Sequence, residues 1–113
     1  MIQIYHNPRC GKSRNCMLFL EESNNEFEVI NYLKTPPTAS ELVALLKKLK
    51  FKPIDLVRQK ETIWIENYKD KKMTDAEIIQ TMAENPILIE RPIVIKNGEA
   101  IVGRDLEKVG SFI

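Results

Sequence analysis

Short apolar runs with strand character alternate along this chain with stretches whose apolar residues recur every three or four positions. Residues 2–5 (IQIY) predict a short strand that stops at Asn7-Pro8. Arg14 to Glu22 then predicts a helix, with Cys16, Met17 and Leu20 on a wide apolar face. Residues 27–33 (FEVINYL), rich in aromatic and β-branched side chains, predict a second strand, and Pro36-Pro37 stops it. Thr38 and Glu41 have capping-box spacing ahead of Leu42, Leu45, Leu46 and Leu49, an apolar stripe at helical period. Pro53 opens a short helix (IDLVR) that ends near Arg58, and ENYKDKK at 66–72 is most simply a solvated linker between helices. Thr74 and Glu77 repeat the capping box before Ile78, Ile79 and Met82, and Asn85-Pro86 ends that helix.

The strongest local signal comes late. PIVI and EAIV flank Lys96-Asn97-Gly98, and Asn-Gly between β-branched runs predicts a hairpin. A last helix starts near Asp105. The resulting order is β-α-β, a helical middle of roughly fifty residues, then β-β-α. That is the order of a thioredoxin-like α/β fold with a helical insertion and a mixed four-stranded sheet. Neither a repeat nor a low-complexity stretch interrupts it, and residues 1–113 are expected to form one domain.

Composition narrows the function classes. Of the 113 residues, 43% are hydrophobic and 29% charged, ordinary for a soluble globular chain. Seventeen basic against 16 acidic residues leave a net charge of +1, which points to neither a nucleic acid nor a membrane partner. Apolar runs are too short for a membrane span, and the N-terminus reads as strand without a basic leader. A cytoplasmic location with reduced thiols is the expectation.

The candidate chemistry lies in YHNPRCGKSR, residues 5–14. Cys10 sits at a strand-to-helix junction, where unpaired backbone N–H groups and the positive end of a helix dipole favour a thiolate. Arg9, Lys12 and Arg14 add positive charge nearby, and a protonated His6 would add more. All of these lower a thiol pKa from its free value near ~8.5, and only the thiolate is nucleophilic. The same terminus suits an oxyanion. A lone cysteine in a small domain is commonly inert core filling, and Cys16, on the apolar helix face, fits that description. Were Cys10 and Cys16 in one helix they would lie roughly 9 Å apart along its axis, beyond the ~7 Å limit for a disulfide. Two rival chemistries fail on spacing. A phosphatase-type Cys-x5-Arg loop would need arginine at position 16, which is cysteine, and a zinc site needs more ligands than His6, Cys10 and Cys16 provide.

With these residues in place, the chain resembles the glutaredoxin-coupled arsenate reductases of the ArsC type, a family with a thioredoxin-like fold. The resemblance runs nearly end to end, through YHNPRCGKSRN at 5–15, NYLKTPPTASEL at 31–42, LVR at 56–58, NPILIERPIVI at 85–95 and VGR at 102–104. It implies Cys10 as nucleophile, His6 and Ser13 as support for its thiolate, and Arg58, Arg91 and Arg104 as oxyanion ligands. It also implies a cis bond before Pro92. Taken singly, each arginine has a plainer explanation: Arg58 as a helix-end charge, Arg91 and Arg104 as solvated surface. Together they suit a tetrahedral oxyanion, whose oxygens match guanidinium forks better than a lysine's point charge.

The implied reaction starts with Cys10 attacking arsenate and expelling water. Glutathione, a co-substrate and not a bound cofactor, then adds to the adduct. Glutaredoxin takes the glutathione as a mixed disulfide while arsenite leaves. Asp105 departs from the family's usual proline; it could loosen the turn presenting Arg104, or pair with that arginine. Two other functions stay open: an Spx-type regulator that binds RNA polymerase, and a glutaredoxin-like protein-thiol reductase. The regulators commonly carry Cys-x-x-Cys as a redox switch, and here the fourth position is Ser13.

Overall fold

In the computed structural model, which describes residues 1–113, the chain divides into two compact units, residues 1–35 with 91–113 and residues 36–90. The first holds the sheet. Strands β1 (Ile2–Tyr5) and β2 (Phe27–Ile30) pair in parallel with Tyr5 opposite Ile30, and α1 (Gly11–Glu22) is the crossover that a parallel pair requires. Strand β3 (Ile93–Lys96) runs antiparallel to β1, and β4 (Glu99–Val102) antiparallel to β3, giving the mixed order β2-β1-β3-β4. The turn joining β3 to β4 holds Asn97 at φ 53° and Gly98 at φ 78°, the two left-handed positions that an Asn-Gly hairpin supplies. Helix α5 (Leu106–Phe112) closes the unit against α1.

Alternation along the strands builds the core. Ile2 and Ile4 of β1 and Val94 of β3 bury one sheet face against Cys16 and Leu20 of α1 and Val109 of α5. Tyr5, Ile93 and Ile95, on the opposite face, are buried as well, which is why β3 reads as continuously apolar. The strand directions also decide where function can gather. The C-terminal ends of β1, β2 and β4 and the start of β3 share one edge of the sheet. The loops carrying Cys10, Arg91 and Arg104 all leave from that edge.

The second unit is helical: α2 (Ala39–Leu49), α3 (Thr62–Asn67) and α4 (Asp75–Glu84), with 3-10 turns at Pro53–Leu56 and Pro86–Leu88. Both capping boxes form, Thr38 with Glu41 and Thr74 with Glu77. Leu42, Leu45, Leu46 and Leu49 are buried, and α2 packs on α4, which buries Ile78 and Met82. No helix in the chain is long and apolar enough to cross a membrane.

Several boundaries differ from the sequence pattern. Helix α1 starts at Gly11, three residues early, because the Cys10 carbonyl already accepts the Arg14 N–H at 3.0 Å. Strand β2 ends at Ile30, since the Asn31 carbonyl takes the N–H groups of Lys34 and Thr35 and turns the chain. The 66–72 segment is not all linker: its first two residues finish α3, a helix anchored by buried Trp64. Arg58 lies beyond the short helix that Pro53 opens, in a bridge of Val57 with Ile89, where its N–H donates to the Leu88 carbonyl at 2.7 Å.

Candidate functional site

The loop between β1 and α1 is held by its own polar groups. Asn7 is buried; its carbonyl accepts the Cys10 N–H at 3.1 Å and its Oδ1 accepts the Arg9 N–H at 2.9 Å. Its N–H donates to Ser13 Oγ at 3.0 Å, and Ser13 Oγ lies 2.7 Å from His6 Nδ1. Ser13 is fully buried, so the hydroxyl is locked between Asn7 and the imidazole. Arg14 Nη1 donates to the Pro8 carbonyl at 3.1 Å and closes the outside of the loop.

This scaffold places Cys10 at the N-cap of α1, with extended backbone (φ −97°, ψ 123°) and a partly exposed side chain. The sulfur does not close a regular side-chain cap, but the first-turn N–H groups of α1 face it. Partial burial pushes the thiol up. The Ser13 N–H, the Arg91 side chain, the Lys12 N–H and the Arg91 charge push it down, and together they prevail, leaving it below the ordinary thiol value. Cys16 is the opposite case: buried without any such partner, its thiol is pushed up to about 11.

Two features of the charge around Cys10 are not visible along the sequence. The cation acting on the Cys10 sulfur is Arg91, from the far end of the chain, while Arg9, Lys12 and Arg14 are exposed side chains. His6 does not serve as a positive neighbour. Burial, and then the Arg14 charge, hold its pKa below the usual histidine value, which favours the neutral ring at neutral pH, hydrogen-bonded to Ser13.

Arg91 is buried, its side chain hydrogen-bonded to Cys10, and the Arg91-Pro92 bond that follows is cis. Arg104 donates from Nη1 to the Arg91 main-chain carbonyl at 3.0 Å. Asp105 caps α5, its Oδ1 accepting the Glu107 N–H at 3.0 Å. The carboxylate therefore starts a helix, with the Glu107 N–H as its partner. The structure thus gathers His6, Cys10, Ser13, Arg91 and Arg104 at one sheet edge. Arg58 belongs to the second unit, where its Nε pairs with Glu61 Oε1 at 3.0 Å.

Sequence reasoning missed Asn7 as the organiser of the loop and Glu61 as the partner of Arg58. An Asn-Pro pair that ends a strand was a signal for the first, since asparagine side chains accept from the backbone two residues on. The i,i+3 spacing of Arg58 and Glu61 was a weak signal for the second.

Comparison with known proteins matches residues 5–112 to the ArsC family. An arsenate reductase of Neisseria meningitidis is 42% identical over 114 residues, covering 99% of this chain and 97% of that protein. An uncharacterized protein of Escherichia coli, YfgD, is 46% identical over 110 residues, covering 96% of this chain and 92% of its own length. The solved structure of an arsenate reductase from Vibrio cholerae superposes with a TM-score of 0.92 at 40% identity, over 99% of this chain and 97% of that one.

Proposed function

The chain belongs to the ArsC family, and from that premise we propose that it reduces arsenate to arsenite, with Cys10 as the nucleophile. The observation that carries this reading is the placement of the Cys10 sulfur at the start of α1 with the Arg91 side chain hydrogen-bonded to it. A sulfur favoured as thiolate beside a buried guanidinium is both an attacking group and half of an anion site.

In the proposed reaction the oxyanion docks on the α1 N–H groups and on Arg91. Arg104 keeps donors beyond the one spent on the Arg91 carbonyl, since a guanidinium has about five. Arg58 enters as a third ligand on its matched LVR motif alone, and would exchange its bond to Glu61 for one to substrate. Cys10 attacks arsenic, and one arsenate oxygen leaves as water. His6 and Ser13 hold the loop in register and are proposed to support the thiolate through it.

Two electrons are then needed to bring arsenic(V) to arsenic(III). Cys16, buried and with its thiol pushed up to about 11, is a poor source. External thiols are therefore proposed as donors. Glutathione thiolate takes the place of a second arsenate oxygen, which leaves as water. A glutaredoxin thiolate then attacks the glutathione sulfur, and the electron pair of the broken sulfur–arsenic bond stays on arsenic. Water then takes the place of the Cys10 sulfur on arsenic(III), its oxygen going to arsenic and its proton to the departing thiolate, so the products are arsenite, the mixed disulfide and free Cys10. Ser13 stands where the regulators of this fold commonly carry a second cysteine, which favours the enzyme over a disulfide switch.

The test is arsenite formation by the purified protein with glutathione, glutaredoxin and arsenate, compared with Cys10→Ser. The reading expects turnover that Cys10→Ser abolishes. Full activity in Cys10→Ser overturns the nucleophile assignment. No arsenate turnover, together with specific retention of RNA polymerase or deglutathionylation of protein thiols, overturns the substrate.

A further inference from the structure

The β3–β4 ladder runs out at the functional edge. Its last pair is Ile93 with Val102, and one further backbone bond, from the Gly103 N–H to the Pro92 carbonyl at 2.8 Å, extends it by a step. One residue beyond, the carbonyl of Arg91 accepts from the side chain of Arg104, whose Nη1 stands 3.0 Å from the Arg91 oxygen. We propose that Arg104 is a positioning residue, its guanidinium holding the Arg91 main chain so that the Arg91 side chain stays on the Cys10 sulfur.

Three observations support this role. The Arg104 bond to the Arg91 carbonyl is charge-assisted, which makes it stronger than a neutral one. The segment carrying Arg104 is fixed from below: a Cβ on Gly103 would lie 3.1 Å from Cys16 Sγ, 3.1 Å from Val94 Cγ2 and 3.2 Å from Val109 Cγ2, so the chain sits directly on the core. The neighbouring carboxylate, Asp105, is engaged by the Glu107 N–H at the start of α5. A line of contacts therefore runs from Cys16 under Gly103, through Arg104 and Arg91, to Cys10. Along it, Cys16 acts as packing, and the residue matched to an oxyanion ligand acts on the nucleophile before any oxyanion binds.

The inference rests on Cys10 as the reacting thiolate, and its test uses neither arsenate nor glutathione, so failure of arsenate turnover leaves it standing or falling on its own. Cys10 alkylation by iodoacetamide is followed against pH in the wild type, Arg91→Met, Arg104→Met, Arg104→Lys and the Arg91→Met/Arg104→Met double variant. The charged and titratable groups around the sulfur that stay constant are His6, through Ser13, and Arg9, Lys12 and Arg14 on the loop.

Arg104→Met is expected to slow alkylation at pH 7 about three- to tenfold, the effect of moving the thiol by half to one pH unit. Arg104→Lys, which keeps a donor, is expected to recover part of that rate. In the Arg91→Met background, removing Arg104 is expected to slow the reaction no further, because its effect passes through Arg91. An unchanged profile in Arg104→Met overturns the proposal. So does a slowing that adds in full to that of Arg91→Met, which would mean that Arg104 acts on the sulfur directly.

Discussion

Replacing Gly103 by alanine adds one methyl group at the point where the β4 end rests on the core. The new Cβ would meet Cys16 Sγ and Val94 Cγ2 at 3.1 Å and Val109 Cγ2 at 3.2 Å. All three neighbours are fully buried, and two are valines with little freedom at χ1. None can swing away without moving the strand or a helix. Overpacking of this kind costs about 1–3 kcal/mol. Alanine also restricts the unfolded chain, which returns about 0.4–1 kcal/mol. Together these ranges leave a net loss between about 0 and 2.6 kcal/mol, with a middle value of about 1.3 kcal/mol, seen as a Tm lowered by about 5 °C for a chain of this length.

The assay is urea unfolding followed by circular dichroism, with the midpoint shifted and the slope unchanged. Removing one of the three crowding atoms supplies the internal control. In a Cys16→Ala background the same Gly103→Ala change is expected to cost less, by about 0.5 kcal/mol or more, because the sulfur it would crowd is gone. Stability of Gly103→Ala above that of the wild type would refute the close packing of this turn. Strict additivity with Cys16→Ala would refute the specific contact.

Ser13→Ala leaves the buried Asn7 N–H and His6 Nδ1 without their shared hydroxyl, and is expected to cost about 1–3 kcal/mol in urea unfolding; a neutral result would mean that water replaces it freely. His6 gives a pH dependence with a definite sign. Its folded pKa lies below its ordinary value of 6.5, so the unfolded chain binds the proton more readily. Its contribution is complete above pH 6.5 and is lost as pH falls through the folded value. Stability between pH 7 and 5 is expected to fall less steeply in His6→Gln than in the wild type, measured at matched ionic strength. An identical slope would show that His6 is not the group responsible.

Local signals carried most of the fold into the sequence. The Thr38/Glu41 and Thr74/Glu77 boxes and the Asn97-Gly98 turn are each decided within four residues, and each forms. The start of α1 was obscure because Gly11, Lys12 and Ser13 carry no apolar period and cysteine is not a usual cap residue. Helix α3 was obscure because six residues have little helical preference of their own; burial of Trp64 and its ring contact with Tyr68, 5.7 Å between centroids, stabilise it. At this edge of the sheet, Cys10 stood out for its neighbours, yet those neighbours did not point to Arg91. Sequence shows what is adjacent along the chain, whereas Arg91 reaches the sulfur because β3 starts beside the end of β1. The Arg104 bond to the Arg91 carbonyl has no sequence signature, since any side chain long enough to reach back across a hairpin looks the same on paper.

The central claim is that folding makes Cys10 a thiolate nucleophile, and the pH dependence of its alkylation in the intact protein tests this most directly. Modification with iodoacetamide, located by mass spectrometry, should fall on Cys10 and leave Cys16 untouched while the chain is folded. The rate should reach half its maximum below the ~8.5 of a free thiol. A midpoint at or above that value would contradict the account, whatever substrate the protein acts on.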